Sequence, residues 1–331
     1  MTVAESLRVG IAGTGVYVPE RLLTNQDLEK MMDTSDEWIT TRVGIKERHL
    51  AAPDESTSTM GAAAARRALA AAGVEPEAVD VIITATITPD VPWPATANFI
   101  QRELGARRAA CFDIAAACSG FIYALDMARD FIRGGMAETV LVVAAETLSR
   151  ITDWEDRNTA VLFGDAAGAA VLKPVEPPRG ILSTYLAADG SKGDLLELPA
   201  GGSRLPPTRD TVAERLHYIK MKGNEVFKAA GRAMARANAE ALKAAGLSID
   251  DVDLLIPHQA NMRIIQAAAR LSNLPMERVF LNLERYGNTS AATTAVALHE
   301  AVDTGRLKPG DHCLLVAFGG GFTWGSCLIR M

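Results

Sequence analysis

The chain reads as an α/β protein built from two copies of one strand–helix unit, and three observations point there. Short apolar runs such as VDVIITATIT (from Val79) and TVLVVAAE (from Thr139) have the length and β-branched content of buried strands. Ala-rich stretches of helical composition alternate with them, the pattern of α/β folds with mostly parallel sheets. Finally, residues 65–83 (ARRALAAAGVEPEAVDVII) return at 238–256 as NAEALKAAGLSIDDVDLLI. Gly73 then matches Gly246, and Val79-Asp80 matches Val252-Asp253, at a constant offset of 173. Two Ala-rich helices resemble each other by composition alone, but an ordered series of matches does not arise that way.

Each copy is a helix closed by glycine, a short turn and an apolar strand. The series continues with FDIAAACSG (from Phe112) and FLNLERYGNTS (from Phe280), both read as strands breaking at small residues. The helices ALDMARDFIRGG and VALHEAVDTGRL follow, and then the strands TVLVVAAE and HCLLVAFGG. Three prolines in VLKPVEPPRG interrupt the pattern near Lys173–Pro178. They divide the chain into an N-terminal half, 1–175, and a C-terminal half, 176–331. GIAGTGVYVPE (from Gly10) imitates a dinucleotide loop, but its third glycine is missing and Val-Tyr-Val-Pro stands where a helix should open.

Composition bounds the function. A length of 331 residues suits two units of about 150 each. No apolar run approaches the ~18 residues of a membrane span, and MTVAESLRVG lacks the basic start and apolar block of a signal peptide. Four cysteines without a C-x-x-C pair argue against a zinc site or a disulfide framework and suit a reducing cytoplasm. The five histidines show no metal-ligand spacing, and a net charge of −6 disfavours nucleic acid as partner.

Three separated residues fit one site: Cys118 in AAACSGF, His258 in IPHQANMR and Asn288 in YGNTSAAT. A thiol among small residues at a helix start gains from the helix dipole and from free backbone N–H groups, which favour the thiolate. His and Asn can aim N–H donors at a thioester carbonyl where negative charge develops. A lone cysteine in an Ala-rich segment is more often a small core residue, and Cys111, Cys313 and Cys327 read that way. Cys118 differs because Ser119-Gly120 leaves room for a substrate. The duplication sets Cys118 and Asn288 at equivalent helix starts, so pseudo-twofold packing brings the three residues to one cleft. The arrangement predicts acyl transfer with a carbanion step.

Along nearly its whole length the chain resembles the β-ketoacyl-acyl-carrier-protein synthases of type III, in the thiolase superfamily. The motifs are TSDEWITTRVGIKERH (from Thr34), the Cys118 segment, DRNTAVLFGDAAGAAVL (from Asp156), GNEVFK (from Gly223), PHQAN, YGNTSAA and FGGGFTWGS, in that order. The resemblance implies a five-layer αβαβα thiolase fold of two βαβαβαββ halves, dimeric and without a cofactor, acyl-CoA being a substrate. It implies that Cys118 takes an acyl group from acyl-CoA and that malonyl-acyl-carrier protein then enters and loses CO2. The enolate, held by His258 and Asn288, attacks the acyl group to give 3-oxoacyl-carrier protein. The N–H groups of Cys118 and Gly320 form the oxyanion hole. Trp38 and Arg157 flank the adenine of CoA with Arg42 nearby, and Asn224 and Asn261 line the pantetheine tunnel. Trp93, in a Pro-rich loop, reaches the partner subunit's acyl pocket. The resemblance places Lys228 and Arg263 at the tunnel mouth, while the i, i+4, i+8 spacing of Lys228, Arg232 and Arg236 gives one basic helix face suited to an acidic carrier protein. Asn288 separates the chain from elongating synthases, which resemble a Cys-His-His arrangement. A small departure, Thr293 after Ala291-Ala292, touches none of these roles. A relative in specialised metabolism and a non-catalytic carrier-binding protein are the alternatives.

Overall fold

The apolar runs become the strands of two sheets in the computed structural model, which describes residues 7–331. The first half supplies β1 (Arg8–Tyr17), β2 (Arg21–Thr24), β3 (Glu47–Leu50), β4 (Val81–Ala85), β5 (Ala110–Ile114), β6 (Val140–Thr147) and β7 (Asp165–Val175). The second supplies β8 (Gly180–Ala188), β9 (Leu196–Glu197), β10 (Lys220–Met221), β11 (Leu254–Pro257), β12 (His312–Gly319) and β13 (Thr323–Arg330). The helices that build the layers and the site are α1 (Asp36–Arg42), α2 (Thr57–Ala72), α3 (Thr96–Leu104), α4 (Gly120–Arg133), α5 (Gly223–Ala245), α6 (Met262–Leu271) and α7 (Ala292–Asp303).

The two sheets carry the duplication. One is ordered β1-β7-β6-β4-β5 and the other β8-β13-β12-β11. In both, the inner pair is parallel (β4 with β6, β11 with β12) and the next two pairings are antiparallel. The repeated sequence is the same unit twice: α2 ends at Gly73 (φ 61°) and α5 at Gly246 (φ 68°), each in the left-handed conformation that glycine adopts freely. A single 3-10 turn then leads into β4 or β11. One expected element is missing. FLNLERYGNTS does not form a strand; only a bridge between Val279 and Leu255 survives of the partner that β5 provides in the first sheet. The chain then forms a short helix at Leu283–Tyr286, where Asn and Glu-Arg break the apolar run.

Alternation along the strands sorts the side chains into layers. Ile82, Leu141 and Val143 pack on α2 and α3, whereas Val81, Ile83, Val140 and Val142 face α4 and α7. In the second sheet, Leu255, Leu314 and Val316 pack on α5 and α6, whereas Leu254, Ile256 and Leu315 turn to the same central pair α4 and α7. The result is five layers with α4 and α7 in the middle. Gly13 and Gly15, the false dinucleotide loop, have a packing role: a Cβ at either would lie within 2.6 Å of the α2 backbone.

Candidate active site

Cys118 sits in the 3-10 turn Ala117–Ser119 that opens α4. Ala117 adopts φ 45°, a left-handed conformation costly for a residue with a Cβ and held here by the surrounding bonds. Ser119 Oγ and Thr323 Oγ1 lie 2.8 and 2.9 Å from the Ala116 carbonyl oxygen and 2.6 Å from each other, so one hydroxyl donates to the carbonyl and the other to its fellow hydroxyl. Thr323 thereby ties the glycine turn after β12 to the cysteine turn. The approach is so close that a Cβ on Gly319 would lie 2.6 Å from the Cys118 nitrogen.

His258 follows β11, its N–H held by the Val316 carbonyl at 2.7 Å. Its Nδ1 lies 2.6 Å from Thr293 Oγ1 on α7. Asn288 is fixed by its own backbone, with N–H to Leu162 O at 2.8 Å and carbonyl accepting Gly164 N–H at 3.1 Å. Its side-chain Oδ1 accepts the Ser290 N–H at 2.8 Å, which leaves the Nδ2 amide free to donate.

The three residues line one cavity of about 760 Å³. Trp38, Arg42, Asn224, Asn261, Arg263 and Gly320 line it as well. Apolar side chains line it too, among them Ile87, Leu148, Phe163 and Ile219, of which the last three form a buried cluster of their own. Among the four cysteines only Cys118 faces this cavity.

Desolvation acts against the thiolate that the helix start favours. Burial pushes the Cys118 thiol up to about 12, opposed in part by the Ser290 hydroxyl. Burial thus opposes the helix end, whose dipole favours the thiolate by about 1 kcal/mol. Burial likewise lowers His258 to about 3, so its imidazole is neutral at pH 7. Glu146, fully buried at the end of β6, is raised to about 7 by desolvation, although Thr88 Oγ1 (2.6 Å) and the Ile87 N–H (3.1 Å) donate to it. Nothing in the sequence marked Glu146, since a carboxylate ending an apolar strand looks solvent-facing.

The remaining candidates divide. Arg42 and Arg157 each place a guanidinium 4.9 Å from the Trp38 ring centroid, so two arginines attend that indole. Arg157 is not part of the cavity wall; it donates to the Asp33 carbonyl at 2.7 Å and lies 3.7 Å from the Asp33 carboxylate. Asn261 caps α6 through the Arg263 N–H. Lys228, Arg232 and Arg236 lie exposed on α5, Lys228 paired with Glu225 at 3.0 Å. Arg263 stacks over Phe227 at 5.3 Å in the cavity wall. Trp93 is 86% exposed and away from the cavity of its own chain.

Duplicated halves meeting in five layers, with a thiol at the helix start of one and an amide before the matching helix of the other, define a condensing enzyme of thiolase type. Family models described as 3-oxoacyl-[acyl-carrier-protein] synthase III and as the C-terminal part of that enzyme match residues 112–190 and 242–331. The beta-ketoacyl-[acyl-carrier-protein] synthase III of Caldanaerobacter subterraneus subsp. tengcongensis is 55% identical over 326 residues, 98% of each chain. The crystal structure of 3-oxoacyl-[acyl-carrier-protein] synthase III from Aquifex aeolicus superposes with a TM-score of 0.91 at 50% identity, covering 98% of this chain and 100% of that one. The Thermus thermophilus enzyme gives 0.90 at 46%, covering 97% and 99%. The chain belongs to the 3-oxoacyl-[acyl-carrier-protein] synthase III family.

Proposed function

We propose that the protein condenses an acyl-CoA primer, acetyl-CoA foremost, with malonyl-acyl-carrier protein and so initiates fatty-acid synthesis. The observation that carries this reading is the convergence of Cys118, His258 and Asn288 on one cavity that apolar side chains also line. The Cys118 sulfur attacks the thioester carbonyl and CoA departs, leaving an acyl-enzyme. The N–H groups of Cys118 and Gly320 stabilise the tetrahedral oxyanion, each donor contributing about 3 kcal/mol to the transition state. Malonyl-carrier protein then loses CO2, and the enolate, bound by Asn288 and His258, attacks the acyl carbonyl. Decarboxylation generates the carbanion without a strong base, so the buried neutral groups suffice.

Trp38 and Arg42 take the adenine end of CoA, with Arg157 supporting the indole, and Asn224 and Asn261 line the pantetheine path. Lys228, Arg232, Arg236 and Arg263 form the face that meets the acidic carrier protein. Trp93 belongs to a homodimer contact next to the partner subunit's acyl pocket. We assign the two halves to 1–175 and 176–331, the enzyme to the cytoplasm, and no resident cofactor to the reaction. The test is mass spectrometry after incubation with acetyl-CoA. One acetyl group should appear on the peptide containing Ala117-Cys118-Ser119, and Cys118→Ala should abolish it. Labelling at Cys111 with Cys118 untouched would overturn the reading.

A further inference from the structure

β4 and β6 pair in parallel from Val81–Val140 to Ala85–Ala144, and there the ladder ends. Two residues further along β6, Glu146 does with its side chain what the ladder no longer does. Its carboxylate accepts the Ile87 N–H at 3.1 Å, the Thr88 hydroxyl at 2.6 Å and the Thr86 hydroxyl at 3.2 Å. Thr88 Oγ1 in turn accepts the Thr147 N–H at 2.9 Å, which closes the clamp onto β6. Glu146 is fully buried, and each of these partners is uncharged. A buried carboxylate without donors is costly, so these three bonds both hold it in place and fix the segment that supplies them.

Ile87 is the residue of this segment that lines the Cys118 cavity, where it packs against the cluster of Leu148, Phe163 and Ile219. Three residues on, Asp90 accepts the Ser58 N–H at 2.8 Å and anchors the chain again, on α2. Ile87 therefore sits between two anchors, and the first holds its own N–H. We propose that Glu146 is a positioning residue for primer length: by holding the Ile87 N–H it fixes Ile87 as a wall of the cavity that receives the acyl chain. The inference rests on the proposed acylation of Cys118 and adds what limits the chain its sulfur carries. Glu146 is not itself part of the cavity wall and acts through Ile87. With alanine at 146, the Ile87 N–H and two threonine hydroxyls lose their acceptor, and the space of the carboxyl opens behind the isoleucine. Ile87 then moves back and the cavity lengthens. Room for one methylene is worth about tenfold or more in rate, so the change reads out as selectivity. A role in stability alone would slow every primer alike.

The experiment measures single-turnover acylation of Cys118 in the full-length protein by mass spectrometry, with acetyl-CoA and hexanoyl-CoA each in excess. The hexanoyl-to-acetyl ratio of the rate constants does not depend on the fraction of protein that is folded. Glu146→Ala should raise that ratio about tenfold over wild type. Glu146→Gln, whose amide oxygen still accepts the Ile87 N–H, should keep the wild-type ratio. An unchanged or lower ratio in Glu146→Ala overturns the inference, as does a glutamine variant with the ratio of the alanine variant. If Glu146→Ala does not fold, Thr88→Val decides, since it removes the 2.6 Å donor and leaves the carboxyl in place. Its ratio should rise about threefold, the worth of one hydrogen bond, and an unchanged ratio there overturns the inference. A wild-type Cys118 that takes up neither acyl group would overturn the proposed function itself, a result distinct from acylation at an unchanged ratio.

Discussion

Glu146 and His258 lie buried at the active-site end of the sheets, and each is driven toward its uncharged form, with opposite consequences for stability. Glu146 rises from an ordinary 4.5 to about 7, so the folded chain binds its proton more tightly than the unfolded chain. That contribution is complete below pH 4.5 and is lost as pH rises through 7. His258 falls from 6.5 to about 3, so the unfolded chain binds the extra proton, and stability is lost as pH drops from 6.5 toward 3. Glu146→Gln should therefore gain melting temperature relative to wild type as pH goes from 5 to 8; parallel melting curves across that range would refute the assignment. For the chemistry, Asn288→Ala should depress malonyl decarboxylation by about a hundredfold, because it removes one of the two proposed donors to the enolate. Decarboxylation at the wild-type rate would remove Asn288 from that role.

At the scale of elements, the site depends on helices approaching strands without intervening side chains. A Cβ on Gly168 of β7 would lie 2.5 Å from the Cβ of Ala295 and 3.0 Å from its backbone carbonyl carbon on α7, the helix that carries Thr293. Gly168→Ala must push that helix outward, at a cost of about 1–3 kcal/mol. Its melting temperature should fall by several degrees and both half-reactions should slow. Gly190→Ala, where a Cβ meets nothing within 4 Å, is the matched control and should leave melting unchanged. Equal melting of the two variants would show that the α7 contact is looser than its geometry.

On the scale of the whole molecule, a chain of net charge −6 has to attract an acidic carrier protein. The exposed stripe Lys228, Arg232 and Arg236 supplies a local field of the required sign. Arg263 is a poorer probe of docking, because it also lines the cavity that holds Cys118. Charge reversal at Lys228 or Arg232 should raise KM for malonyl-carrier protein and weaken its salt dependence, with acetylation by acetyl-CoA unchanged. Equal losses with both substrates would withdraw the docking assignment. Sedimentation should give a dimer whose stability falls in Trp93→Ala, since an indole 86% exposed on one chain is apolar area awaiting a partner.

Local sequence determined the repeating unit. Gly73 and Gly246 close their helices because only glycine enters the left-handed region freely, and strand alternation already separates the two faces of each sheet. Cys118, His258 and Asn288 were legible because each breaks an apolar run with small or polar neighbours. What the sequence left open depends on contacts between distant segments. The loss of the strand expected at Phe280, the pairing of Arg157 with Asp33 and the central α4–α7 layer are of this kind. Burial is another such effect: it opposes the thiolate that the helix start favours at Cys118, because desolvation depends on everything packed around a group, not on its neighbours in the chain. Thr293 shows the same limit at the scale of one side chain. In the sequence it is a minor variation after two alanines, and only the fold sets its hydroxyl between Ser290 O and His258 Nδ1.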